Sequence, residues 1–444
     1  MRTRILTINK VTLLFILLLI AQIDGVAQQK YTPSPKNLKA REWFNNARFG
    51  MFIHWGLYSY LAGGGKDGYA EWIQNRDFIS SADYQKLEQF FNPRDFDPAA
   101  WVKMVKDAGM KYITFTTKHH EGFSMFNTQY SNFGIMQTPY KKDVLKMLKE
   151  ECDKQGIKLF VYYSLLDWYN TDYYPWGRSG REYTGRPAKG DWNKYIEYMN
   201  NQLTELLTNY GEIGGVWFDG MWDRKDADWH LEEIYANIHK LQPKALIGNN
   251  HHKIPITGED FQMFERDLPG ANTFGHNTTE ISALPLESCE TMNREWGYNF
   301  RDNHFKTAKE VIHLLVRAAG NNANLLLNTG PMPNGKIVPE NIEMLKKVGE
   351  WTKAFGETIY GTKGGPEKPK TWGAMTQKDN KIFLHILNYD EKLLVIPASV
   401  GRIKNAYWFG DIKPIKLTGT KEGYILNLGN SNKDLIDRIV VLDK

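Results

Sequence analysis

Between about residues 45 and 335, short runs in which nearly every position is apolar alternate with stretches whose apolar residues recur every three or four positions. The clearest unit spans 97–117. Asp97-Pro98 marks a helix start, because an Asp side chain accepts from free first-turn N–H groups and Pro is tolerated there. Trp101, Met104, Val105 and Ala108 then share one helical face, and Gly109 can end the helix. Residues 112–117 follow as a β-rich strand. The unit recurs as helices over 144–156, 195–210, 231–241 and 306–320, each followed by a strand, over 157–164, 214–219, 245–248 and 324–329. A first strand is expected at 50–55. This alternation predicts parallel βα units, and a number approaching eight favours a (β/α)8-like (TIM) barrel. No glycine-rich phosphate loop follows the first strand, so nucleotide binding has no support.

The pattern changes at GTKGGPEKPK, residues 361–370, which reads as a linker. Short alternating runs over 381–387, 393–396, 406–409, 423–428 and 437–442 then predict a C-terminal all-β sandwich, residues 371–444. At the other end, Arg2, Arg4 and Lys10 precede an apolar run over 11–21, and Gly25 and Ala27 sit two apart. That order is the one of a secretory signal cleaved after Ala27. The apolar run is shorter than the roughly 20 residues a membrane span needs. The expected mature chain is therefore periplasmic or extracellular, with no stable membrane insertion and its catalytic barrel over 28–360. Two cysteines, Cys152 and Cys289, make neither a disulfide framework nor a structural zinc site. A net charge of +5 without a basic patch gives no reason to expect a nucleic-acid partner. Homo-oligomerisation is left open.

In such a barrel the chemistry lies at the C-terminal ends of the strands. Those ends carry His54, the pair His119-His120, Tyr162 and Trp217 with Asp219, and a loop after the first strand carries Glu71-Trp72. Asp219 emerges from the apolar run Val216-Trp217-Phe218 and precedes Gly220, which suits a catalytic carboxylate at the barrel mouth. Neighbouring strand residues point to opposite faces, so His119 and His120 cannot easily grip one ion. No H-E-x-x-H motif is present, and neither metal nor cofactor is expected. Hydrogen bonding to hydroxyl groups suits these histidines better, and a second pair, His251-His252, follows the fifth strand. Aromatic residues make up 13% of the chain, which hints at stacking on sugar faces. A glycosidase needs two carboxylates, about 5–5.5 Å apart for retention or about 6.5–9.5 Å for inversion. Beyond Asp219 the candidates are Glu259, Asp260, Glu265, Glu280, Glu287 and Glu290, and sequence distance does not rank them.

Seven segments occur in order: FGMFIHWGLYS at Phe49, YAEW at Tyr69, TTKHHEGF at Thr116, VYYS at Val161, VWFDG at Val216, GYN at Gly297 and NLLLNTGP at Asn324. Together they resemble the α-L-fucosidases of glycoside hydrolase family 29, over about residues 40–359 and the β-rich tail. The resemblance implies a (β/α)8-like barrel with a C-terminal β-sandwich. It also implies release of terminal α-L-fucose from fucosylated oligosaccharides or glycoconjugates, with retention through a covalent fucosyl-enzyme and without a metal. Asp219 matches the nucleophile. His54, Glu71, His119, His120, Tyr162 and Trp217 match positions that bind the sugar, Trp72 flanks them, and Trp296 matches an aromatic position near the fucose methyl. Aligning GEDFQMFERDLPG through its DLPG selects Glu259 as acid/base, with Glu265 second and Glu287 in LPLESC third. Relatives place an Arg-Trp pair upstream of the acid/base. Here that segment reads Asn249-Asn250-His251-His252-Lys253, so a His, with His252 a sugar contact, is expected to replace the Arg. The motif set leans to the broad-acting type and leaves the natural aglycone open. Two alternatives remain: a retaining glycosidase for a related sugar, and a non-catalytic sugar-binding protein.

Overall fold

Strands that are buried along nearly their whole length are the reason the apolar runs are so continuous, since a parallel sheet is covered on both faces. The computed structural model describes residues 31–66, 68–411, 413–429 and 435–444. The signal segment expected over 1–27 lies outside the described residues. Eight strands form one parallel sheet: β1 Phe49–Ile53, β2 Tyr112–Lys118, β3 Lys158–Ser164, β4 Gly215–Asp219, β5 Leu246–Asn249, β6 Gln262–Glu265, β7 Leu286–Thr291 and β8 Ala323–Thr329. The hydrogen-bonded order is β5-β4-β3-β2-β1-β8-β7-β6. Because β1 pairs with both β2 and β8, the sheet wraps round into a nearly closed barrel.

The helices stand where their caps dictate. Helix α1 is Pro35–Ala47, and α2, Pro98–Asp107, starts where the Asp97 carboxylate accepts from Ala100 N at 3.0 Å. Asp143 caps α3, Val144–Gln155, and Gly156 closes it at φ 75°. Asp191 takes Asn193 N and Lys194 N, so α4 covers Trp192–Thr208 and starts three residues before the predicted 195. Helix α5 is Leu231–Leu241. Thr307 and Glu310 form a reciprocal capping box on α6, Ala308–Gly320, and α7 is Pro339–Phe355.

Two barrel strands were not foreseen. β6 (QMFE) and β7 (LESCET) interrupt their apolar pattern with Gln262, Glu287, Ser288 and Glu290. No long helix follows β5 or β6; loops join β5 to β6 and β6 to β7. β5 and β6 share no strand ladder, and a side chain takes its place. Asp260 Oδ2 accepts from Ile247 N at 2.8 Å while Asp260 N donates to Ile247 O at 2.6 Å. The other carboxylate oxygen takes Arg41 of α1 at 2.6 Å, so an ion pair between a buried carboxylate and a half-buried guanidinium pins this edge to the helix.

The C-terminal strands form two antiparallel sheets. One has the order β13-β16-β11-β10-β9 and the other β12-β15-β14. They comprise β9 Lys363–Gly364, β10 Gly373–Lys378, β11 Lys381–Ile386, β12 Leu393–Pro397, β13 Asn405–Trp408, β14 Lys416–Gly419, β15 Gly423–Asn427 and β16 Arg438–Asp443. Leu384, Ile396, Leu426, Val440 and Leu442 are among the residues buried in their shared core. The stretch read as a linker contributes β9, an edge strand paired to β10. Strands β9, β10 and β14 carry no apolar run long enough to have announced them. Cys152 and Cys289 are both free and buried.

Candidate active site

A cavity of about 980 Å³ opens at the C-terminal ends of the barrel strands. Asp219 ends β4 and lines it. Its Oδ1 accepts from Gly220 N at 2.8 Å, Trp222 Nε1 at 3.1 Å and Asn250 Nδ2 at 3.3 Å. Its Oδ2 accepts from Tyr162 OH, at 2.9 Å. Gly220 sits at φ 87°, and a Cβ there would come within 2.8 Å of the Leu166 Cβ. The glycine after Asp219 thus lets the loop after β3 close in on it.

Three buried histidines line the same wall, from the ends of β1 and β2. Burial drives His54 and His120 down to about 3 and holds His119 well below the usual imidazole range. All three are therefore neutral at working pH, each with one donor and one acceptor nitrogen. Their neighbours fix two of the tautomers. Asn328 donates Nδ2 to Trp296 O at 2.7 Å, which turns its Oδ1 towards His54 Nδ1 at 2.7 Å. His54 Nδ1 must carry the proton, leaving Nε2 as an acceptor. Likewise Ser164 Oγ donates to Leu166 O at 2.6 Å, so its lone pair receives the His120 Nδ1 proton at 2.7 Å. His120 Nε2 then presents a lone pair 3.7 Å from Asp219 Oδ2. Two acceptors facing one another leave a natural berth for a hydroxyl. His119 keeps a buried Nδ1 without a hydrogen bond, its ring stacked on Tyr162 with centroids 5.5 Å apart.

Aromatic faces close the pocket. Trp217 stacks on Tyr162 at 5.5 Å, and Phe52 lies 5.0 Å from Trp217 and 5.9 Å from Trp296. Trp72 stacks on Trp222 at 5.7 Å and meets His120 edge-on. Glu71 is buried and accepts from Gly297 N at 3.0 Å; burial raises its carboxyl above the usual range. Glu295 beside it is pushed up to about 7 by burial and by Glu71.

The candidate second carboxylates separate clearly. Glu259, expected as the acid/base, does not reach the cavity. It precedes β6 rather than ending it, and its oxygens take Tyr235 OH at 3.0 Å, Ile256 N at 3.2 Å and His251 Nε2 at 3.1 Å. Glu287 also stays out: it lies within the barrel, accepting from Trp217 Nε1 at 2.9 Å and from the Tyr112 hydroxyl, and burial pushes it up to about 7. Glu265 ends β6 and lines the cavity. Its Oε2 accepts from Asn250 Nδ2 at 2.9 Å and lies 3.8 Å from His252 Nε2. Asn250 therefore bridges the two carboxylates, which keeps those two oxygens within roughly 6 Å, nearer the separation of a retaining pair than of an inverting one.

His252 lines the cavity, and a guanidinium also reaches it from outside that segment. Arg266 adopts φ 54° directly after Glu265, and its guanidinium lies 5.0 Å over the Trp296 ring. Trp222, Asn250, Arg266 and Glu295 are among the cavity residues that sequence reasoning missed. Trp222 had a signal, its short spacing from Asp219, in the turn that follows β4. Among the described residues no group of three or more His, Cys, Asp or Glu is arranged to hold a metal ion.

A family profile described as Alpha-L-fucosidase matches residues 18–357. The solved alpha-L-fucosidase isoenzyme 1 of Paenibacillus thiaminolyticus is 34% identical, with TM-score 0.80 over 92% of this chain and 99% of that one. A GH29 alpha-L-fucosidase of Bacteroides thetaiotaomicron, captured as a trapped covalent intermediate with 2-fluoro-fucosyl fluoride, is 27% identical, with TM-score 0.80 over 94% and 98% of the two chains. The tissue alpha-L-fucosidase of Rattus norvegicus is 28% identical over 85% of this chain and 84% of its own. With the profile covering most of its length, this chain belongs to the alpha-L-fucosidase family of glycoside hydrolases.

Proposed function

We propose that this protein is an exo-acting, retaining α-L-fucosidase that removes terminal α-L-fucose from fucosylated glycans by double displacement. The observation that carries the reading is the Asp219–Asn250–Glu265 bridge across a cavity lined by neutral histidines and indole faces. Asp219 Oδ1 is occupied by three donors, so Oδ2 is the freer atom and attacks the anomeric carbon. As that bond forms, the glycosidic C–O bond breaks and Glu265 gives its proton to the departing oxygen. Glu265, now a carboxylate, then takes a proton from a water that displaces Asp219 and releases fucose. The donor and acceptor nitrogens of His54, His119 and His120 orient the sugar hydroxyls, and Trp296 covers an apolar edge. The trapped intermediate of the Bacteroides relative supports the covalent step by likeness.

A panel of nitrophenyl glycosides followed by NMR tests this. The fucoside alone is cleaved rapidly, and the first sugar released is the α anomer. Release of β-L-fucose first would contradict retention, and faster cleavage of another glycoside would contradict the substrate. Export is part of the same proposal and rests on the N-terminal segment alone. Sequencing the protein from periplasm or medium should give an N-terminus at Gln28; an intact Met1 there would overturn it.

A further inference from the structure

An acid that protonates the leaving oxygen faces the leaving group, so what surrounds Glu265 on the solvent side meets the aglycone. From Glu265 a file of rings leads outward. His252 Nε2 lies 3.8 Å from Glu265 Oε2, His276 packs on His252 with centroids 5.0 Å apart, and Phe274 stacks on His276 at 6.2 Å and 21°. Phe274 is 56% exposed, yet it lines the cavity mouth. An aromatic ring left this open in water beside a sugar-cleaving acid is suited to stacking on a further sugar ring.

The charges at the mouth are unbalanced. The carboxylates lining the cavity are Asp219, Glu265, Glu71 and Glu295, and Arg266 lies close to the last three. Arg178, Lys225 and Lys253 line the mouth, are exposed, and make no ion pair among the described residues. They come from three separate loops. Arg178 and Lys225 are brought to one side by the Arg178 N to Asp223 O bond at 3.1 Å, while Lys253 adjoins His252. Arg76 lies over the Tyr69 ring at 4.7 Å, and Arg294 is exposed beside Glu295.

We infer that the mouth is an aglycone subsite for a saccharide bearing an anionic substituent, a carboxylate or a sulfate ester. Its ring stacks on Phe274, and its charge is met by Arg178, Lys225 and Lys253. This rests on the fucosidase reading and adds the class of acceptor to it.

The test compares three substrates of the full chain. They are fucosyl fluoride, whose leaving group is one atom and does not fill the subsite, a neutral fucosylated trisaccharide, and the same trisaccharide carrying a carboxylated or sulfated sugar in separate arms. At low salt the anionic forms should show kcat/KM at least fivefold above the neutral one. That preference should collapse towards unity in Arg178→Ala/Lys225→Ala/Lys253→Ala and at high ionic strength, where exposed charges are screened. Phe274→Ala should lower kcat/KM on both trisaccharides about tenfold more than on fucosyl fluoride. Equal kcat/KM for neutral and anionic trisaccharides in the wild type, or a preference that survives the triple substitution, overturns the inference. Failure of the wild type to turn over fucosyl fluoride instead overturns the fucosidase reading beneath it. If the sulfated arm alone is preferred, the acceptor is a sulfate ester; if the carboxylated arm alone, a uronate or sialate.

Discussion

The half of the barrel built from β1 to β4 and the half built from β5 to β7 reach the same cavity by different means. In the first, each strand is an apolar run and capped helices α2, α3 and α4 intervene between successive strands, so the strand ends are held by repetitive packing. It delivers His54, His119, His120, Tyr162 and Asp219. In the second, loops replace helices, β6 and β7 carry polar residues within the strand, and one closure is a carboxylate in place of a ladder. It delivers Asn250, His252, Glu265 and Arg266. The proposed nucleophile Asp219 thus sits on the regular scaffold and the proposed acid/base Glu265 on the irregular one, with Asn250 joining them. On the proposed reading, a rigid wall carries the reacting carboxylate and a loop-built wall meets the leaving group.

The largest expected effect is on the regular side. Asp219→Ala should lower kcat by about 10⁴-fold or more with the fold retained, read by steady-state kinetics and far-UV circular dichroism. Near-normal turnover would remove the nucleophile from this half. Next is the irregular side. Glu265→Ala should lose about 10²–10⁴-fold on substrates with a poor leaving group and much less on an activated aryl fucoside. Glu259→Gln should change kcat by less than about tenfold, because its carboxylate is held by Tyr235, His251 and a backbone N–H outside the cavity.

The difference between the halves also sets what the sequence could say. Helices and strands from 97 to 248 were legible within a few residues because helical-period faces, continuous apolar runs and, on three of the helices, Asp caps agree there. β6 and β7 were not, because their polar residues answer to partners distant in sequence. Glu287 serves Tyr112 and Trp217 from the other side of the barrel, a pairing no local pattern encodes. The different placements of Glu259, outside the cavity, and Glu265, lining it, were hidden for the same reason. Without β6 in view, nothing showed that position 259 precedes a strand while 265 ends it, and the DLPG register carried the assignment alone.

Two smaller effects sharpen the contrast through stability. Asp260→Ala removes the seam and strands Arg41 and Ile247 N, and should cost about 3–5 kcal/mol in thermal or denaturant unfolding. A loss below about 1 kcal/mol would mean that the seam is held by packing instead. The pH dependence follows from Glu287. Its carboxyl is raised from 4.5 to about 7 in the folded chain, so the folded state keeps a proton that the unfolded state releases. Stability should therefore fall as pH rises from about 4.5 to about 7, with Glu295 (about 7) and Glu121 (about 8) acting in the same direction. Glu287→Gln should flatten its share, on the order of 3 kcal/mol. An unchanged slope in the variant would show that Glu287 is ionised in the folded protein.

The division of labour between the halves is tested most directly by the anomer of fucosyl azide that each carboxylate variant makes. With azide and an activated fucoside, Asp219→Gly should give the β-L azide, since azide stands in for the missing nucleophile. Glu265→Ala should give the α-L azide, since azide attacks a fucosyl-enzyme that still forms. If Glu265→Ala yields no azide product while Glu259→Ala or Glu287→Ala yields the α-L azide, the acid/base lies elsewhere and the account is contradicted.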